Sequence, residues 1–283
     1  MIAPAVARWV VGCLITLMVT GCSVRSIEQE EVSELATTPA PNAINLQSHP
    51  SEPTDKPAAH RSGTAAPGTP VSGARSAALS ALEHLAVKGR APKTGYSRSQ
   101  FGIAWTDANT TLWGGDSLST RENILSRDLT DIACKTPPER TSPPCVIQSG
   151  VLNDPYTGTT LNFVRGEKTS PLIPIDHTVS LGDAFQKGAQ QLSLAERTNL
   201  ANDPLNLIAT TREPNSAKGD SDAASWLPPN KTFRCKYVAR QIAVKIRYRL
   251  WVTQPEKDAI ARVLSSCPGQ RLPTAAEEAL RVE

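Results

Sequence analysis

Four cysteines, Cys134, Cys145, Cys235 and Cys267, restrict what this chain can fold into more than any other feature. Their weight comes from the N-terminus, which marks the chain for export. Residues 1–8 end in the cation Arg8, and residues 9–19 are an apolar run too short to span a bilayer permanently. The run leads into Val19-Thr20-Gly21-Cys22, which has the form of a lipobox. Residues 1–21 therefore read as a lipoprotein signal peptide, with Cys22 as the lipidated first residue of the mature chain. An ordinary secretory signal or a signal anchor competes with this reading, and all three export the remainder. Outside the cytoplasm an even set of cysteines reads as disulfides. Three connectivities are open, and proximity in sequence favours Cys134–Cys145 with Cys235–Cys267. On the loop-entropy model these would contribute about 3 and about 4 kcal/mol. A four-cysteine zinc site is the competitor, but no Cys-x-x-Cys spacing occurs.

Residues 22–73 are rich in Pro, Ser, Thr, Ala and Glu and contain no aromatic side chain. Such a segment cannot bury enough surface to offset its ordering entropy, so it reads as a disordered tether with an r.m.s. span of about 40 Å. Residues 74–283 are left for one domain, a length that can bury a proper core. Its dense part is residues 95–268, where Tyr96, Phe101, Trp105 and Trp113 arrive close together.

Periodicity and turn chemistry then give a mixed order of elements. Helices are expected at residues 74–87 and, behind a polar cap at Ser119, up to Leu129. Residues 146–152 and 159–165 read as a β-hairpin around Asn153-Asp154-Pro155-Tyr156-Thr157-Gly158. A third strand covers 172–179, helices follow at 181–189 and 194–201, and a short strand at 206–210. A further helix begins near Asn215. Residues 231–250 read as a long helix with Val238, Ile242, Ile246 and Leu250 as its buried stripe. Thr253-Gln254-Pro255-Glu256 is a capping box for a last helix to about Ser265.

The chemistry concentrates between residues 175 and 219. Ile175-Asp176-His177 closes an apolar run, Asn206-Leu207 follows, and Asn215-Ser216-Ala217-Lys218-Gly219 ends the stretch. A one-metal phosphodiesterase centre needs a hard, oxygen-ligated cation, a neutral imidazole to deprotonate water, and donors aimed at a phosphate. Asp176 and the side-chain oxygen of Asn215 could supply the ligands, and His177 the base. Of the four histidines, His49 and His60 fall in the tether and His84 in a helix, so a zinc site of several histidines is excluded. Lys218 and Arg212 are the expected phosphate-holding cations. The long helix carries Lys231, Arg234, Lys236, Arg240, Lys245, Arg247 and Arg249 with no acidic residue among them. Uncompensated cations of this density resemble a phosphate-backbone footprint, although a charge run is more often a solvated face.

Residues 96–267 resemble the secreted HNH-type endonucleases of high-GC Gram-positive bacteria, members of the His-Me-finger (ββα-metal) nucleases. These are related to the C-terminal nuclease part of modification-dependent restriction enzymes. The resemblance is carried by Phe101-Gly102 with Trp105, Thr120-Arg121 with Arg127-Asp128-Leu129, and the Gly150–Gly158 turn motif. Asp176-His177, Asn202-Asp203-Pro204-x-Asn206-Leu207, Asn215-x-x-Lys218-Gly219-Asp220 and Trp226-Leu227-Pro228-Pro229 complete it. It implies that Asp176 ligates the metal, that His177 is the general base, and that Asn206 braces the loop. Asn215 would complete the metal site in place of a second histidine. The family's cysteine before Thr-Arg is missing here, where Gly114-Gly115-Asp116-Ser117 stands instead.

The expectation is thus an α+β fold: a ββα-metal (HNH) nuclease core with additional helices, stabilised by disulfides. It would act outside the cytoplasm as a membrane-anchored lipoprotein endonuclease using a divalent metal, Mg²⁺ or else Mn²⁺, on nucleic acid, DNA before RNA. No protein partner is evident. The competing expectation is a catalytically silent envelope lipoprotein that uses the fold and its basic helix to bind DNA or another anionic polymer.

Overall fold

The computed structural model describes residues 76–135 and 145–279. The expected signal peptide, Cys22 and tether lie outside these residues. In chain order the elements are α1 (Ala77–Glu83), α2 (Thr120–Asp128), β1 (Leu129–Cys134), β2 (Ile147–Asn153), β3 (Thr160–Val164) and β4 (Ile175–His177). They continue with α3 (Leu181–Gln186), α4 (Leu194–Asn202), β5 (Leu207–Ala209), α5 (Arg212–Lys218), α6 (Arg234–Arg247), α7 (Gln254–Leu264) and α8 (Ala275–Ala279). Polar caps fix the helix starts. Ser119 accepts the Glu122 N–H ahead of α2, and full capping boxes stand at Ser193 and at Thr253.

The expected hairpin is β2–β3, with Gly150 opposite Phe163 and Asn153 opposite Thr160. Gly158 supplies the left-handed residue of its turn, at φ +76°, and donates its N–H to the Asp154 carbonyl. The buried Asp154 carboxylate then gathers the hydroxyls of Thr157, Thr210 and Thr211 at 2.6–2.8 Å, which ties the turn to the start of α5. Strand β1 departs from the expectation. The sequence reads Leu129 as the end of a helix, but the backbone turns straight from α2 into a strand that pairs antiparallel with β2. The Cys134–Cys145 disulfide joins the end of β1 to the approach of β2, and Cys235–Cys267 joins the start of α6 to the segment after α7.

The other sheet is small. Strand β4 shrinks from the expected eight-residue strand to Ile175–His177, because Ser170–Leu172 form a 3₁₀ turn and Pro174 has no N–H to pair. It runs antiparallel to β5, with Asp176 opposite Ile208 and His177 opposite Leu207. Helix α5 follows β5 directly. One apolar core packs α1, α6 and α7 around Tyr156 and Tyr237. A second packs α3 and α4 on Val244 and Tyr248, and a third packs α2 on the three-stranded sheet and β4–β5.

Helix α6 passes through the first two cores, and this overturns its reading as a cationic face. Its buried side is Tyr237, Val238, Ile242 and Val244, each worth about 1.5–3 kcal/mol, while Ile246 is 45% exposed. Lys245 is fully buried, with Glu256 at 3.0 Å and Asp183 at 3.5 Å. Burial works against its charge, but Glu256 and Asp183 outweigh that and hold its pKa above the usual range. The same ion cluster contains Lys187, 2.7 Å from each of Asp183, Asp222 and Glu256, and Arg90 on Asp183 and Asp222. Arg240 is buried too. It donates to the Leu207 carbonyl and ion-pairs with Glu278 of α8, and burial pushes its pKa down to about 9. Arg247 pairs with Asp203 at 2.9 Å, and Arg234 donates to the Pro228 carbonyl. Of the five cations that fall within α6, only Lys236 stands exposed without a described partner; of the other two in the expected run, Lys231 lies ahead of the helix and Arg249, after it, pairs with Glu196. The carboxylates that pair with the α6 cations come from α3, α7, α8 and the α4–β5 turn, all on other elements.

Candidate active site

Asp176 and His177 both line a cleft of about 740 Å³, to which Asn215 contributes from α5. The Asp176 carboxylate is held from two sides. Its Oδ2 accepts the Tyr156 hydroxyl at 2.6 Å, and its Oδ1 meets the Lys218 ammonium at 3.1 Å. Burial raises the Asp176 pKa, while Lys218 and Tyr156 pull the other way. Tyr156 is the central residue of the hairpin turn, so the turn motif orients the carboxylate as well as reversing the chain.

His177 is just as tightly placed. Its Nε2 lies 3.0 Å from the Ala201 carbonyl on α4. A carbonyl only accepts, so Nε2 carries the proton and Nδ1 keeps its lone pair. The Trp105 indole stacks on the imidazole, with ring centroids 5.6 Å apart and planes 13° from parallel. Trp105 itself sits at φ +56°, a costly backbone for a bulky residue and one that accumulates at functional sites. Burial pushes the His177 pKa down to about 3, so the ring is neutral at pH 7.

Asn206 is wholly buried behind this strand. Its Oδ1 accepts from the Val179 N–H and the Thr178 hydroxyl, and its Nδ2 donates to the Val179 and Leu200 carbonyls. It thereby holds the turn after His177 against α4. From the other side Gln241 of α6 donates to the Thr178 carbonyl at 2.9 Å.

The expected phosphate-holding cations are placed differently. Lys218 is 1% exposed, spent on Asp176 and on the His177 carbonyl at 2.8 Å, and so is not free to grip a substrate. Arg212 is exposed at the start of α5 and does not line the cleft. Arg98 and Arg121 line it instead, with Trp105. Arg121 and Trp105 belong to motifs the sequence displays, but nothing in their spacing assigns them to a site. Arg98 carries no sequence signal at all.

A cation would find hard oxygen donors here. Asp176 keeps lone pairs beyond those given to Tyr156 and Lys218, and no described residue hydrogen-bonds the Asn215 side chain. Among the described residues no group of three or more His, Cys, Asp or Glu side chains is placed to hold a metal ion. A pair of protein oxygens with the rest of the shell left to water suits Mg²⁺ better than ions that need a full protein cage. The residues present fit such an ion.

Comparison with known proteins gives two relationships. A family described as GmrSD restriction endonucleases, C-terminal domain, matches residues 119–263. An uncharacterized secreted protein of Arthroderma benhamiae is 35% identical over 194 residues, covering 68% of this chain and 85% of that protein. No solved structure matches.

Proposed function

The chain belongs to the family of GmrSD restriction endonuclease C-terminal domains, and on that premise we propose that it is a metal-dependent endonuclease acting outside the cytoplasm. One observation carries the reading. His177 lines a cleft shared with Asp176 and Asn215 and has Nε2 tied to Ala201, which leaves Nδ1 as the ring nitrogen able to take a proton. That is the constellation a one-metal phosphodiesterase requires: a neutral base beside hard oxygen ligands. The order β4, β5, α5, with Asp176 on the first strand and Asn215 on the helix, supports reading this unit as a ββα-metal core.

In this reading His177 Nδ1 takes a proton from the water that attacks phosphorus in line, and the Ala201 carbonyl holds the ring so that Nδ1 stays aimed. A divalent cation on Asp176 and Asn215, Mg²⁺ or Mn²⁺, would stabilise charge on the departing 3′-oxygen. Tyr156 and Lys218 fix the Asp176 carboxylate, and Asn206 fixes the turn behind His177. The products carry 5′-phosphate and 3′-hydroxyl ends. The substrate is nucleic acid, DNA before RNA. The reading as a silent anionic-polymer binder rested on the cationic α6, and the burial of Lys245 and Arg240 removes that support.

Export as a lipoprotein is part of the same proposal. It is supported by the lipobox at Cys22 and by the relative described as secreted. No described helix is long and apolar enough to cross a membrane. The deciding experiment incubates the mature chain with plasmid, single-stranded DNA and RNA, with Mg²⁺ or Mn²⁺ and then with EDTA. Cleavage that EDTA abolishes is expected, and no cleavage of any substrate with either metal overturns the reading. Replacing Cys22 with Ala should release the domain from membranes or block its maturation; unchanged membrane fractionation would point to a transmembrane anchor.

A further inference from the structure

We propose that Arg121, with Arg98 on the same cleft, is the phosphate subsite, taking a non-bridging oxyanion of a phosphodiester or phosphomonoester. The proposal deepens the nuclease reading and draws its substrate class from it, but the geometry is separate from the His177 chemistry.

Consider how the charges around the cleft are spent. Asp176 is bound by Lys218 and Tyr156, and Asp220 pairs with Lys93 at 2.7 Å. Arg98 and Arg121 line the same cleft and make no ion pair among the described residues. Glu122, next to Arg121 in sequence, is committed elsewhere: both its oxygens take the Arg165 guanidinium at 2.6 and 2.7 Å, and one also takes the Ile147 N–H.

Arg121 is partly buried and rigidly mounted. It is the second residue of α2, whose first residue, Thr120, bonds Asn202 at 2.8 Å. Its Nη2 donates to the Ser170 and Ile173 carbonyls at 3.1 and 2.8 Å, on the segment that leads into β4. The N–H groups of Nε and Nη1 have no acceptor among the described residues. Burial lowers the Arg121 pKa, and the field of Glu122, which makes no ion pair with Arg121, offsets only part of that, so the cation is partly desolvated. A guanidinium with fixed orientation and open donors is completed by an oxyanion, which its planar fork can take through two hydrogen bonds. Arg98 is exposed, lines the same cleft, and its charge is felt at His177, so an anion held in this cleft sits with the proposed base. The cations do here what Lys218 and Arg212 are expected to do from sequence.

The test measures binding apart from turnover, in a His177→Ala background with EDTA present. The probes are deoxythymidine 3′,5′-bisphosphate and a short fluorescein-labelled single-stranded DNA, titrated at several salt concentrations. Arg121→Gln is expected to weaken both by about tenfold or more, the usual worth of a hydrogen bond to a charged group. It should also reduce the slope of log K against log salt by about one. Arg121→Lys should restore the slope but not the full affinity, since it returns the charge without the fork. Arg98→Gln, at an exposed position, should lower affinity with unchanged thermal unfolding, which keeps the proposal testable if Arg121→Gln folds poorly. Arg262→Gln, on α7 and outside the cleft, should change neither. Wild-type affinity and slope in Arg98→Gln and in a folded Arg121→Gln overturn the subsite. A wild-type chain that cleaves nothing but binds the bisphosphate through these arginines overturns the nuclease reading and leaves the subsite standing. Cleavage with KM unchanged in both variants does the reverse.

Discussion

Lys218 and Asp176 meet at 3.1 Å in the interior, and the same ammonium caps the His177 carbonyl at 2.8 Å. One buried side chain on α5 thus holds both the carboxylate and the end of the strand that carries the histidine. Lys218→Met should leave a buried carboxylate uncompensated, at a cost of about 3–5 kcal/mol. Chemical denaturation reads this directly. A variant as stable as the wild type would show that the ammonium is not part of the frame.

Replacing His177 with Ala should lower turnover by about two to four orders of magnitude, the usual worth of a positioned base. Affinity for nucleic acid should hardly change, because phosphate contacts supply it. Asp176→Ala and Asn215→Ala should instead raise the Mg²⁺ concentration needed for half-maximal rate. Their effects should fall short of additivity, since both act on one ion. Wild-type turnover in His177→Ala would remove the histidine from the chemistry.

Acid should weaken the fold through the same imidazole. An unfolded histidine titrates near pH 6.5, and burial holds His177 down at about 3. Between those values the unfolded chain binds a proton that the folded chain refuses. The stability His177 contributes is therefore fully present above about pH 6.5 and is lost as pH falls toward 3, on the order of a few kcal/mol. With EDTA present, urea midpoints for wild type and His177→Asn between pH 7 and pH 4 give the comparison. The wild type should decline more steeply, and parallel curves would refute the shift.

Much of the frame can be read from local sequence. The hairpin rests on six consecutive turn residues, and the start of α7 on a capping box, so neighbours alone decide both. Asp176-His177 and Asn215 are legible for a similar reason: the order of a few residue types implies a chemistry. The charges of α6 are not legible, because whether Lys245 faces water depends on Asp183, far away in the chain, and on how α7 folds back to bring Glu256 against it. Arg98, Arg121 and Trp105 escape for the converse reason, since only the folded chain brings them to the cleft. Strand β1 is hidden because Leu129 continues an apolar helical pattern, and the pairing that makes it a strand lies across a disulfide-closed connection.

Lys245 offers a direct check of that correction. Lys245→Met should strip a buried ion cluster of one cation and destabilise the fold by about 3–5 kcal/mol. The salt dependence of nucleic-acid binding by the folded fraction should stay as in the wild type. A shallower salt slope without loss of stability would return Lys245 to the substrate-facing surface.

The polar groups assigned roles in the cleft arrive from separate segments: the stretch holding Arg98 and Trp105, the start of α2, strand β4, and helix α5. The turn after strand β4 then leans on α6, which is synthesised after all of them and is pinned by Cys235–Cys267. A chain still being made or threaded through an export channel carries every reactive group but no centre. On the proposed nuclease reading, the cell's own genome would thus be spared until the chain is complete and folded.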